Sequence, residues 1–294
     1  GKNLKTLEHK LLTKTYLIDE YKKFMIYDPK KREIQALDFS DRIIQRTFCD
    51  NYFMPFLEKH LIYDNGACLK NKGLYFTTNR LKAHLQQYFR QSKTNVGYVL
   101  TFDFSKFFES IPHDLLCEKV AKKIQDPKIL DLYKHFMDQF GEVGLGLGSQ
   151  ISQISALYYT NDFDHYIKEK LKIKYYARYM DDGYLIHHDK QYLEYCQAEI
   201  LKFADKLKLR INKKKTKISR IDTSFKFLNR HWTLTPKGYI KTRPSRDAII
   251  RIRRKHKKLK QLATPEHLST FEQSVKGFLK FYKNERLENY VLQN

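Results

Sequence analysis

Three aspartates stand where chemistry could use them. Asp103 lies near the end of the run Tyr98-Val99-Leu100-Thr101-Phe102-Asp103-Phe104. Asp181 and Asp182 sit between two apolar runs in Tyr175-Tyr176-Ala177-Arg178-Tyr179-Met180-Asp181-Asp182-Gly183-Tyr184-Leu185-Ile186. A carboxylate among buried aromatic strands is costly unless it is paired or binds a metal. Hard divalent cations such as Mg²⁺ choose carboxylate oxygens. Two such ions side by side can activate a hydroxyl and stabilise a departing pyrophosphate. One Asp on a strand and an Asp pair on a neighbouring hairpin is the arrangement nucleotidyl transfer needs. An Asp-Asp-Gly turn is also ordinary hairpin chemistry, so the surroundings decide.

The elements that must position these residues are mixed. A Leu/Tyr/Phe stripe predicts a helix over 4–27, and Lys30 to Gln35 lead into a short strand. Helices are expected over 41–58 with Ser40 as N-cap, and over 77–90. The aromatic and β-branched run 98–104 reads as a buried strand. Helices follow at 114–124 and 127–139, then a Gly-rich loop at 141–148 and a helix over 152–171. Two strands, 173–180 and 183–188, share a very short turn. A helix at 192–206 precedes a hairpin of 225–232 with 238–241, and basic residues fill a helix at 246–262. Pro265 introduces a last helix, 266–282.

Composition narrows the class. With 41% apolar and 14% aromatic residues, the chain is not globally disordered, and 11 Gly with 7 Pro exclude a fibrous protein. Four cysteines at 49, 68, 117 and 196 form no CxxC pair, so reduced thiols are expected rather than a zinc site or disulfides. No apolar run of about 18 residues exists to span a membrane, and no signal-like segment opens the chain. A cytoplasmic location is expected. The first residue is Gly1 rather than Met, which suggests a truncation boundary. The net charge of +23 points to a polyanion. Residues 202–260 carry 22 Lys/Arg against 3 Asp/Glu, a net +19, and all other residues net +4. The helix bearing Arg246, Arg251, Arg253, Arg254, Lys255, Lys257, Lys258 and Lys260 places Ile249, Ile252 and Leu259 on its other face. Its cations, Arg251, Arg254 and Lys258 among them, are expected to track a duplex backbone.

Together these motifs resemble reverse transcriptases. Tyr179-Met180-Asp181-Asp182 is similar to their Tyr-x-Asp-Asp signature, and Phe102-Asp103-Phe104-Ser105-Lys106-Phe107-Phe108 to their first catalytic motif. Gly144 to Gln153 resembles the motif opening the helix beneath the incoming nucleotide. Lys213-Lys214-Lys215-Thr216-Lys217 and Phe225-Lys226-Phe227-Leu228 resemble the Lys motif and primer grip. Arg32-Glu33-Ile34 and Asp41-Arg42-Ile43-Ile44-Gln45 resemble the fingers motifs of bacterial members, so a bacterial or phage origin is expected. The resemblance covers roughly residues 28–262.

It implies an α+β right-hand polymerase with fingers over 1–97, a palm over 98–242 that includes fingers elements near 115–145, and a small basic thumb over 243–294. It implies two Mg²⁺ ions, replaceable by Mn²⁺, held by Asp103, Asp181, Asp182 and the Phe104 carbonyl. Phe108 would be the steric gate that excludes a ribose 2′-hydroxyl, and one of Phe107 and Phe108 would pack in the core. Arg32, with Lys30 or Lys31, would hold the triphosphate. Lys215 would be a general acid for pyrophosphate or a phosphate contact. Leu147 and Gln153 would touch the nucleotide. Phe227, Leu228, Arg251, Arg254 and Lys258 would hold primer and template. The expected partners are a template RNA, a DNA or RNA primer and deoxynucleoside triphosphates.

Departures from the usual motifs narrow the subfamily. Gly146-Leu147-Gly148 stands where many relatives have Pro-Gln-Gly, and Ser152-Gln153 where many have Ser-Pro. That combination resembles the enzymes of diversity-generating retroelements, which copy with errors at adenines and work with a small basic accessory protein. Asn229 replaces the usual primer-grip Gly. Group II intron-type and phage-defence enzymes are the alternatives, although no maturase region is evident after residue 262 and no RNase H-like acidic constellation follows. A non-catalytic RNA-binding relative is a further alternative. An RNA-dependent RNA polymerase is disfavoured by the bulk of Phe108.

Overall fold

The computed structural model of this 294-residue chain describes residues 2–13, 15–18, 21–27, 31–262, 264–280 and 290–292. Helix α1 (Lys2–Leu12) leads to an antiparallel hairpin of β1 (Lys22–Ile26) and β2 (Arg32–Ala36). Next come α2 (Phe39–Phe48), a π turn (Cys49–Phe53), α3 (Met54–Glu58) and α4 (Leu74–Ser92). Strand β3 (Tyr98–Ser105) precedes α5 (His113–Ala121), α6 (Pro127–Asp138), α7 (Gln150–Tyr159) and α8 (Asn161–His165). Then follow β4 (Tyr175–Tyr179), β5 (Asp182–His187) and α9 (Lys190–Lys206). The chain continues through β6 (Arg210–Ile211), β7 (Lys217–Arg220), β8 (Phe225–Phe227), β9 (Arg230–Leu234) and β10 (Ile240–Pro244) to α10 (Arg246–Leu262) and α11 (Pro265–Lys280). No helix among the described residues is long and apolar enough to cross a membrane.

The central sheet is antiparallel, in the order β4-β5-β3-β6, with β7 also on β3. Side chains alternate between its faces. Leu100, Phe102 and Phe104 point into the larger core, where Phe163 from α8 packs edge-on against both phenyl rings. Val99, Tyr184, Ile186, Tyr175 and Ala177 point into a second core. Leu81, Leu85 and Tyr88 of α4 cover that face, together with Phe225, Phe227, Trp232 and Leu234 of the small sheet β8-β9-β10. Helices α10 and α11 meet through Ile249, Val275 and Leu279. Buried His256 joins them, its Nε2 2.7 Å from Glu272 Oε1.

Several elements depart from the sequence-based expectation. The helix predicted over 4–27 ends at Leu12, and Lys22–Ile26 is a strand because it pairs along its whole length with Arg32–Ala36. The helix predicted over 152–171 breaks at Thr160 and closes with a π turn, Tyr166–Lys170. The strand predicted over 225–232 is two strands, folded at Leu228 (φ 48°) and Asn229 (φ 59°). Helix α2 begins at Phe39 with Asp38, not Ser40, at its N-cap position. Strands β6 and β7 had no clear sequence signal. The last two residues of the helix predicted over 266–282 lie outside the described residues.

Gly183 is paired with Phe102 across β5 and β3. A Cβ there would stand 2.3 Å from Phe102 Cζ, so the ring needs a glycine beneath it. Gly183→Ala is expected to lower unfolding free energy by about 1–3 kcal/mol. Adding Phe102→Leu should recover part of that loss in urea melts, because the smaller side chain makes room for the methyl.

Candidate active site

The sheet register brings the acidic residues together. Asp103 is the direct cross-strand partner of Asp182, and Asp181 occupies the turn between Tyr179 and Asp182. The sequence placed both members of the Asp pair at the hairpin tip; in the structure Asp182 opens β5 instead. By alternation Asp103 and Asp182 share the face that carries Val99 and Tyr184. Met180 precedes them with φ 52°, a left-handed conformation that costs a non-glycine residue about 1 kcal/mol. The Phe104 N–H donates to the Asp181 carbonyl at 3.0 Å, which ties the turn to β3.

Like charges directly opposite on neighbouring strands destabilise a sheet. Burial, followed by the charges of Asp181 and Asp103, pushes Asp182 up to about 7. Burial also raises Asp181, with Asp103 adding to the effect, while Lys215 and Arg32 oppose it. Neither Asp181 nor Asp182 has an ion-pair partner among the described residues. Asp103 has one: Lys215 Nζ lies 2.8 Å from both of its carboxylate oxygens. Burial works against the Lys215 charge, but hydrogen bonds to Asp103 and the surrounding carboxylates outweigh it and raise its pKa.

Asn212, which sequence reasoning missed, delivers that lysine. Its N–H donates to the Asp103 carbonyl at 2.7 Å, and its own carbonyl accepts from the N–H groups of Lys215 and Thr216. Its side-chain oxygen also accepts from the Lys214 N–H at 3.1 Å, closing an Asx turn. The alternation Leu207-Lys208-Leu209-Arg210-Ile211 running into an Asn was the available signal.

Hard carboxylate oxygens of partly desolvated, like-charged residues suit a divalent cation. Among the described residues, however, no three His, Cys, Asp or Glu side chains converge into a metal cage. The protein's own cation at Asp103 is Lys215.

Arg32 opens β2 and is close enough to lower Asp181; Lys31 before it is exposed, and Lys30 lies outside the described residues. Phe107 stacks on Phe104 with centroids 5.3 Å apart and is the buried member of its pair. Phe108 is half-buried, and its carbonyl accepts the Leu145 N–H at 2.8 Å. Leu147 is half-buried and its carbonyl accepts the Gln35 N–H at 2.8 Å, which docks the Gly-rich loop on β2. Gly148 (φ 104°) allows that docking, since a Cβ would stand 2.8 Å from Ile34 Cγ2. Gln153 is exposed on α7, where its Oε1 accepts from Cys68 Sγ at 3.3 Å.

Phe227 corrects the expectation of a primer contact by its side chain. Its ring is 3% exposed and packs edge-on against Tyr184, because Phe225, Phe227 and Trp232 anchor the small sheet to the second core. Lys226 and Asn229 beside it are exposed, and Leu228 is half-buried. Arg251, Arg254 and Lys258 are exposed on α10.

Asp182 is expected to be a liability in metal-free buffer. A carboxyl whose folded pKa is raised above its unfolded value stabilises below about pH 4, and that stability drains away as pH rises toward 7. Asp182→Asn should therefore raise unfolding free energy by about 2 kcal/mol at pH 8 and leave it unchanged near pH 4, read by urea melts at both pH values.

A search of curated protein sequences finds no match. Among solved structures, an apo telomerase from Candida tropicalis, truncated from its C-terminal domain, superposes with a TM-score of 0.59 at 14% identity, covering 81% of this chain and 59% of that one. A Candida albicans telomerase in complex with a fragment of telomeric RNA gives 0.57 at 12% identity, covering 91% of this chain and 55% of that one. The chain thus spans a little over half the length of these structures, and at such identity the likeness shows a shared fold. Residues 23–231, more than half of the chain, match one family, and the chain belongs to it: the reverse transcriptase (RNA-dependent DNA polymerase) family.

Proposed function

We propose that this chain is an RNA-directed DNA polymerase that adds deoxynucleotides to a primer 3′-hydroxyl on an RNA template. The observation that carries the proposal is the Asp103–Asp182 cross-strand pair beside Asp181, within the residues that match the family. Asp103, Asp181, Asp182 and the Phe104 carbonyl would hold Mg²⁺, or Mn²⁺ in its place. A bound divalent cation there supplies charge for the attacking and leaving oxygens.

The chain's own residues do the positioning. Arg32 and Lys31 offer charge-assisted donors to triphosphate oxygens. Phe108, half-buried above the stacked Phe107, serves as the gate at the ribose 2′ position. Lys215, already a proton carrier poised at Asp103, serves as proton donor to pyrophosphate or as a phosphate contact. Leu228 with Asn229 meets the primer end. Arg251, Arg254 and Lys258 track the duplex backbone. In this scheme 1–97 are fingers, 98–242 the palm with fingers elements near 115–145, and 243–294 the thumb.

Within the family we favour the diversity-generating type, served by a small basic accessory protein. Leu147 offers the nucleotide an apolar contact where a glutamine would offer a polar one, and Gln153 stands where many relatives carry proline. One less polar restraint in the pocket is compatible with low fidelity.

Primer extension on a mixed-sequence RNA with four deoxynucleotides and Mg²⁺ tests the proposal. Extension should stop with a chelator and fall at least about 10³-fold in Asp103→Asn and Asp181→Asn, a loss of about 4 kcal/mol. RNA binding without extension would mark a binding protein instead. Errors clustered at template adenines would support the diversity-generating type, and evenly spread errors the group II or phage-defence types. In a second assay, Phe108→Val should raise ribonucleotide incorporation by about 10–100-fold. Unchanged sugar discrimination would remove Phe108 from its role as gate.

A further inference from the structure

We propose that Arg178 and Asp164 are positioning residues that hold the catalytic turn from behind the sheet. The proposal rests on the polymerase reading of Asp103, Asp181 and Asp182. Arg178 is on β4 and Asp164 on α8, and both are fully buried. By alternation along β4, Arg178 lies on the face opposite Ala177, away from the second core. Its guanidinium makes a two-pronged pair with Asp164, Nε to Oδ1 at 2.7 Å and Nη2 to Oδ2 at 2.6 Å. The remaining prong, Nη1, donates to the Met180 carbonyl at 2.7 Å.

That last bond reaches the turn itself. The hairpin loop is two residues long, Met180 and Asp181, and both of their carbonyls have a fixed donor. Met180 is held by Arg178, and Asp181 by the Phe104 N–H. With Met180 left-handed at φ 52°, the turn is strained and its direction depends on what grips it. Gripping both carbonyls fixes the peptide planes on either side of Asp181, and with them the directions of the Asp181 and Asp182 side chains.

The grip is itself braced. Asp164 also accepts from Tyr176 Oη and from Asn65 Nδ2, so its carboxylate is fully occupied. The backbone of Arg178 bonds the 64–66 loop in both directions, N–H to the Asp64 carbonyl at 3.2 Å and carbonyl to the Gly66 N–H at 2.9 Å. The Asp64 carboxylate is in turn held by Arg80 and Lys168. Stability alone does not account for such a pair, because apolar residues of similar volume often replace a buried ion pair without loss. An apolar pair cannot donate to Met180. Lysine has three donors but no planar fork, so it cannot keep the two-pronged pair with Asp164 and the bond to the Met180 carbonyl in the same fixed geometry.

Two variants test this. Arg178→Met with Asp164→Leu removes both charges together, and Arg178→Lys keeps the charge but loses the fork. The first readout is hydrogen exchange of the Phe104 amide, whose acceptor is in the turn, against amides further along β3, with a urea midpoint for each variant. Exchange at Phe104 should quicken at least about tenfold while the rest of β3 keeps its protection. The second readout is single-turnover nucleotide addition, which should fall about 100-fold with primer–template affinity unchanged. A folded variant with unchanged Phe104 exchange would overturn the proposal. So would uniform loss of protection across β3 with a falling midpoint, which would mark the pair as merely structural. If the double variant does not fold, Arg178→Lys decides by the same criteria. Failure of the wild type to extend a primer would sink the polymerase reading and leave the exchange test standing.

Discussion

Two carboxylates facing each other across neighbouring strands are the constraint around which the rest of this structure is arranged. No sheet gains stability from Asp103 opposite Asp182. The surroundings make the arrangement tolerable without neutralising it. Lys215 pairs with Asp103, whereas at Asp182 desolvation and like charge outweigh the more distant Lys215 and Lys226. Proteins keep such unfavourable groups where the function needs them, and stability is recovered elsewhere. Here it is recovered in two aromatic cores on the two faces of one sheet.

The division between those cores explains the placement of parts. The face carrying Leu100, Phe102 and Phe104 is sealed by helices, and its packing fixes β3 in register with β5. The face carrying Asp103 and Asp182 is packed by α4 and the small sheet; at its acidic end Asp103 is buried and Asp181 and Asp182 are half-buried. Gly183 and Gly148 serve the same design, since each lets a neighbour approach where a side chain would collide. Cationic residues then rim the acidic end from three directions: Arg32 from the β1–β2 hairpin, Lys215 from the turn after β6, and Lys226 from the small sheet.

Much of this was legible in the chain. The motif residues Asp103 and Asp181-Asp182 declared themselves because carboxylates interrupt strongly apolar strands, and β3, β4 and β5 were recognisable by their β-branched and aromatic content. Other parts depended on tertiary partners. Lys22–Ile26 has a helical-looking stripe and becomes a strand only through Arg32–Ala36. At the fold of Leu228 and Asn229 only Asn229 is a turn-forming residue, and Leu228 in the left-handed region gives no such signal; Phe227 was read as a primer contact although its ring is core. Asn212 and Arg178 donate to backbone carbonyls, and Asp164 accepts from Arg178, 14 residues away in sequence; no local pattern shows those bonds.

In the proposed function Asp103, Asp181 and Asp182 would together hold a divalent cation. Titration of the chain with Mn²⁺, followed by electron paramagnetic resonance with primer–template and an unreactive nucleotide present, tests it most directly. The account predicts bound Mn²⁺ in the wild type and its loss in both Asp103→Asn and Asp181→Asn, with RNA affinity retained. Equal Mn²⁺ binding by the wild type and both variants would contradict it.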